Sequence, residues 1–147
     1  MNGTALRLLK AYLWFVAVFH LFVGLAANFS PELTQAIAAG YGARVDWTPQ
    51  FVYILKPLGA FMIALGMLAG VAARDPIRYS AAVLVFVGLF VLRALHRVIF
   101  GDLATEAFGI DGGRNMTNLI VMLVQAALLF GLWHAARRPP VTRTQPA

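Results

Sequence analysis

Residues 83–101 read VLVFVGLFVLRALHRVIFG and decide the class of fold. The stretch begins as an uninterrupted apolar run and ends by carrying Arg93, His96 and Arg97. These positions are spaced i, i+3 and i+4, so a helix places them on one face. An Arg at the centre of a membrane helix costs about 2.5–3.5 kcal/mol on insertion scales. We therefore expect this face to have a partner or a function.

The composition of the whole chain is that of a protein surrounded by lipid. Of its 147 residues, 61% are hydrophobic and only 12% are charged, whereas a soluble domain is about 25% charged. The length allows one membrane domain, residues 1–147, with room for about four spans. Because the chain contains no cysteine, disulfides, thiolate metal sites and cysteine nucleophiles are excluded.

Four apolar runs predict membrane spans over residues 6–27, 51–73, 77–100 and 116–136. Ser30 and Pro31 have the form of an N-cap and a first helical position, which predicts a short interfacial helix over 31–39. We expect residues 101–115 to form a second long loop and the basic tail, 137–147, to be disordered. The predicted fold class is therefore all-α, an integral membrane four-helix bundle.

The placement of basic residues predicts the orientation, because cytoplasmic loops are enriched in Lys and Arg. The two longer loops, between spans one and two and between spans three and four, contain Arg44 and Arg114. Both termini should therefore be cytoplasmic, with the longer loops and the short helix outside. Basic residues beside the spans do not form the single stripe typical of nucleic-acid binding, so we expect no nucleic-acid partner. Seven basic residues lie near the termini or in the short turn between spans two and three, namely Arg7, Lys10, Arg74, Arg78, Arg137, Arg138 and Arg143.

Every predicted span places a polar residue in the outer half of the membrane. Such intramembrane groups are functional candidates because burying them in lipid is costly. Three carboxylates of the second loop, Asp102, Glu106 and Asp111, are the natural counter-charges. The candidate ligand-binding residues are His20, Lys56, Arg93, His96, Arg97, Asn118 and Gln125.

This constellation allows three interpretations. In the first, Arg93 and Arg97 pair with the loop carboxylates and Lys56 extends to the interface. In the second, the excess of basic groups binds an anionic or polar-headed molecule such as a lipid, a quinone or an acidic metabolite. In the third, His20 and His96 are axial ligands of a haem. The sequence contains no metal-binding, phosphate-binding or nucleophile motif, so we predict no metal site and no catalytic residue.

Three glycines, Gly59, Gly66 and Gly70, lie on one face of the second predicted span. The last two form a GxxxG pair, a pattern that lets two membrane helices approach closely. We therefore assign all three to helix packing.

Several segments together resemble a known family. The first span ends near Gly24 and is followed by Pro31, residues 56–68 read KPLGAFMIALGML, and the third span ends in FVLRALHRVIFG. In this layout the chain resembles the small bacterial four-helix membrane proteins of the DoxX-like kind. In that family a basic residue opens span two and an arginine closes span three, as Lys56 and Arg93 do here. The resemblance implies a bacterial inner-membrane protein with an accessory role beside membrane oxidoreductases.

The expected function is non-enzymatic: an accessory subunit, or a binder of a polar-headed or anionic ligand through an outward-facing basic pocket, without a cofactor. A quinone- or haem-handling component of a membrane oxidoreductase is the second hypothesis. A small transporter acting as a homo-oligomer is the third. The expected partners are membrane lipid and either other membrane subunits or further copies of the chain.

Overall fold

The computed structural model describes residues 2–138, so most of the predicted disordered tail, from residue 139 onward, lies outside the described residues. Within residues 2–138 the chain is helical and contains no strand. The helices are α1 Gly3–Phe29, α2 Pro31–Gly40, α3 Pro49–Arg74, α4 Ser80–Ile99, α5 Gly101–Phe108 and α6 Gly112–Arg137.

Four of these helices, α1, α3, α4 and α6, are long and apolar enough to cross a membrane. The predicted all-α class with four spans and a short helix after the first is confirmed. Three long helices, α1, α3 and α6, begin earlier than predicted, and a side chain caps the start of each. Asn2 Oδ1 accepts from Ala5 N at 3.3 Å at the start of α1. Asp111 Oδ1 accepts from Arg114 N at 2.9 Å at the start of α6.

Helix α5 lies where the sequence predicted only a loop. The Thr105 hydroxyl is 3.1 Å from Gly101 O and 2.7 Å from Ile110 O, so it bridges the start of the helix to the residues after it. Gly109 ends the helix in the left-handed conformation, with φ 62°. Glycine adopts that conformation without the steric penalty of a side chain. Asp102 in the first turn is favourable to the helix dipole.

Helix α1 is the centre of the bundle. It packs against α3 along most of its length and also contacts α6 and α2, while α4 packs mainly against α6. Helices α3 and α4 share only a small contact. A cleft therefore runs between α3 and α4, with α1 behind it.

The two halves of the bundle differ in packing. We call the half that holds the start of α1 and the end of α6 the terminal half, and the half that holds α2 and α5 the loop half. Leu9 and Leu13 are fully buried in the terminal half, together with Val83, Phe86 and Leu129. In the loop half the buried residues include polar ones, His20 and Asn118.

Glycines set the close approach of α1 and α3. A Cβ added at Gly24 would lie 2.6 Å from Gly59 O, and one at Gly66 would lie 2.7 Å from Leu21 Cγ. Either contact would force the helices apart. A Cβ at Gly70 would meet nothing nearer than the Trp14 ring, at an ordinary 3.6 Å. Of the predicted GxxxG pair, only Gly66 therefore lies at the point of closest contact.

We expect Gly66→Ala to destabilise the bundle by about 1–3 kcal/mol, the range for overpacking a well-filled interface. Gly70→Ala adds the same methyl group on the same helix where there is room, and it should leave stability unchanged or slightly higher. Reversible unfolding by sodium dodecyl sulfate in mixed micelles measures the difference. Equal stability of the two variants would contradict the proposed contact.

Candidate functional site

A cavity of about 450 Å³ occupies the cleft between α3 and α4. We call it the principal cavity. Helix α1 forms its back, and α2 with Trp47 of the following loop covers its end. Its walls are mostly apolar, with Met62 and Leu65 of α3 opposite Leu89 of α4. Its volume lies within the roughly 300–1,000 Å³ typical of small-molecule sites.

The principal cavity opens on the side of the bundle. Leu58 and Phe61 line it and are also 52% and 69% exposed, so its mouth lies where these two side chains reach the surface. Phe61 is roughly 18 Å along α3 from Pro49, given a rise of 1.5 Å per residue. That depth is near the middle of the helix, so the mouth is surrounded by the apolar layer that the four long helices define.

Two basic residues, His20 and Arg93, line the deep side of the principal cavity, and Thr34 of α2 is a further polar residue of its lining. The same two residues line a second space of about 100 Å³ between α1, α4 and α6, which we call the inner cavity. Gln125 and Tyr41 line the inner cavity as well. His20 and Arg93 therefore form the boundary between the principal cavity and a smaller one whose lining is part apolar and part polar.

His20 is buried, and only one of its two ring nitrogens has a hydrogen-bond partner. Its side chain is 1% exposed, and Nδ1 lies 2.8 Å from the carbonyl oxygen of Val16 on the same helix. The rings of Phe19 and Phe86 meet it edge-on, with centroids 5.7 and 6.0 Å away. Its Nε2 is buried and has no hydrogen-bond partner among residues 2–138. A buried polar atom without a partner costs about 1–3 kcal/mol and therefore needs an explanation.

Lys56, a predicted ligand-binding residue, instead joins two helices. Its Nζ donates to Ala27 O at 3.2 Å and to Asn28 O at 2.8 Å. These carbonyls belong to the last turn of α1, where intrahelical donors run out and the helix dipole is negative. The ammonium of α3 therefore caps the end of α1.

Arg97 is likewise engaged within the fold. Its Nη1 donates to Asn115 Oδ1 at 3.3 Å, and Asn115 Nδ2 donates back to Arg97 O at 3.1 Å. Arg97 and His96 line a third space of about 360 Å³ beneath α5, the loop cavity. His96 is exposed, and its Nδ1 lies 3.3 Å from Leu92 O.

The remaining predicted residues are separate from the principal cavity. Asn118 Nδ2 donates to Tyr41 O at 3.3 Å and so fastens the loop after α2 to α6. Asp111 caps α6, while Asp102 and Glu106 are exposed on α5. The structure thus brings together His20, Arg93 and, on the inner cavity, Gln125.

The two histidines proposed as haem ligands face different spaces. His20 lines the principal and inner cavities, and His96 lines the loop cavity. This separation does not fit a single haem held between them, and we derive no chemistry from one.

Sequence reasoning missed the apolar walls of the site. Phe51, Met62 and Leu89 line the principal cavity, but in the sequence they resemble any lipid-facing position of a span. Asn115, the partner of Arg97, was also missed because it lies 18 residues away in the chain. An asparagine directly before the start of a predicted span was the available signal, since polar residues at the edge of the apolar layer need partners.

Comparison of the chain with protein-family models, with curated proteins and with solved structures gives no match. The resemblance to DoxX-like proteins therefore stays a prediction.

We expect Lys56→Met to lower stability by about 1.5–3 kcal/mol, the range for hydrogen bonds made by a charged group. Because the Lys56 ammonium bonds α1 rather than the principal cavity, the variant should keep its bound small molecules. Lys10→Met removes the same charge near the start of α1 and is the control for net charge. Unfolding in mixed micelles and mass spectrometry of the intact protein measure the two effects. A loss of bound molecules without a loss of stability would contradict this prediction and indicate that Lys56 binds the small molecule.

Proposed function

We propose that this chain is a multi-pass membrane protein that binds an amphiphile from the bilayer. The apolar part of the ligand lies in the principal cavity, and its polar head lies between His20 and Arg93. The observation that carries the proposal is the meeting of an apolar cavity of about 450 Å³ with these two polar side chains at its deep side. In this proposal the function of the protein is binding, without catalysis.

The walls and the mouth favour a ligand that is already in the membrane. Apolar cavities take up apolar molecules rather than water. The mouth beside Leu58 and Phe61 faces the apolar layer, so a lipid-soluble molecule reaches it without crossing water. Arg93 supplies a permanent positive charge with several donors, which suits an oxygen-rich or anionic head.

The orientation completes the proposal. With both termini in the cytoplasm, the loop half and its cavities lie toward the outer face of what we take to be a bacterial inner membrane. The charge asymmetry supports this arrangement, since Arg74 and Arg78 share the terminal half with the start of α1 and the end of α6.

The orientation can be tested directly because the chain has no cysteine. Thr4→Cys and Glu106→Cys introduce single thiols at exposed positions of opposite ends. In whole cells, we expect a membrane-impermeant maleimide to label Glu106→Cys, and to label Thr4→Cys only after permeabilisation. The reverse labelling pattern would place both termini outside the cell and contradict the proposed orientation.

The ligand can be tested by filling its space. We expect Met62→Trp, on the wall of the principal cavity, to lower the fraction of protein that carries a small molecule by at least 10-fold. Met67→Trp is the matched control because Met67 is 58% exposed on the same helix. Native mass spectrometry of protein released from membranes measures the occupied fraction and the added mass. Unchanged occupancy in Met62→Trp would contradict the proposal.

The same spectra test the other form of the expected function, an accessory subunit. Release of the chain together with larger membrane subunits, without a bound small molecule, would favour an accessory subunit. In that case the open cleft between α3 and α4 would be filled by a partner's helix or side chains.

A further inference from the structure

The hydrogen bond of His20 to its own helix restricts what its other nitrogen can do. A carbonyl oxygen only accepts hydrogen bonds, so Nδ1, which lies 2.8 Å from Val16 O, carries the proton. In a neutral imidazole the second nitrogen is then an acceptor with no hydrogen of its own. Nε2 of His20 is therefore a buried lone pair.

The surroundings favour the neutral ring. Arg93 already places one positive charge on the same two cavities, and none of their lining residues is a carboxylate. A protonated His20 beside Arg93 would be a second cation with no carboxylate to compensate it. The boundary between the two cavities thus offers an acceptor with no hydrogen of its own, His20 Nε2, beside a group that only donates, the Arg93 guanidinium.

We infer that the head of the ligand carries a hydroxyl group, whose hydrogen is donated to His20 Nε2 and whose oxygen accepts from Arg93. This inference rests on the proposed function and narrows the class of ligand. A head with acceptors alone, such as an ether, a ketone or a fully ionised carboxylate, would bond Arg93 and leave His20 Nε2 without a partner.

The expected discrimination is large enough to measure. A site built around a substrate hydroxyl rejects analogues that lack it because its own polar group is left unpaired. We expect the hydroxyl compound to bind at least 10-fold more tightly than its methyl ether, which corresponds to about 1.4 kcal/mol or more.

The test compares 4-octylphenol with its methyl ether, 4-octylanisole, on the full chain in lipid nanodiscs. Both probes have the same tail and an oxygen that accepts, but only the phenol donates. The fluorescence of Trp47, which lines the principal cavity, reports binding. Trp47→Phe identifies the part of the signal that comes from this residue.

Two variants separate the roles of the polar pair. His20→Leu should abolish the preference for the phenol while the ether binds as before. Arg93→Gln should weaken both probes and keep the preference. The ratio of the two affinities in the unaltered chain needs no variant, so a folding defect in His20→Leu leaves the test intact.

The outcomes distinguish this inference from the proposed function. Equal binding of phenol and ether, or a preference that persists in His20→Leu, would overturn the hydroxyl assignment and leave an amphiphile site in place. Failure of both probes to bind, together with unchanged occupancy in Met62→Trp, would overturn the site and the inference together.

Discussion

The near contact of α1 and α3 at their glycines is the constraint on which the rest of the bundle depends. With no side chain at Gly24, Gly59 or Gly66, the backbones of the two helices touch, and a Cβ at any of these positions would collide. Because α3 packs closely against α1, it makes little contact with α4, and α4 packs against α6 instead. Beyond the filled core of the terminal half, the four helices then enclose a cleft. The cavity is a consequence of that pairing.

The fate of the polar residues follows from the same geometry. Lys56 is on the glycine-rich helix and meets the end of α1, where two carbonyls accept its hydrogens. Arg97 finds Asn115, and Asn118 finds Tyr41 O. His20 and Arg93 are left facing the cleft itself. Lys56, Arg97 and Asn118 thus bond carbonyls and an amide of the fold, whereas the first interpretation of the sequence expected loop carboxylates for Arg93 and Arg97 and the interface for Lys56.

The sequence predicted the architecture well because length and hydropathy are properties of single segments. The four spans and the start of α2 at Pro31 needed only local rules of burial and capping. Helix α5 was missed since its start carries no side-chain cap. The candidate site was predicted only in part. Periodicity predicted that His20 and Arg93 face inward, but it predicted the same for Lys56. Which polar group meets a carbonyl and which meets a cavity depends on how helices pair, and no spacing within one helix encodes that.

The unequal packing of the two halves also gives the molecule a gradient of local stability. The terminal half contains the fully buried Leu9, Phe86 and Leu129, whereas α2 has no buried residue and α5 has none either. Regions with few buried apolar contacts open at a lower free energy than the global unfolding of the protein. We therefore expect α2 and α5 to open locally at one end while the terminal half stays assembled. The terminal half is then the more stable part of the bundle, and the loop half is the part that opens at a lower free energy.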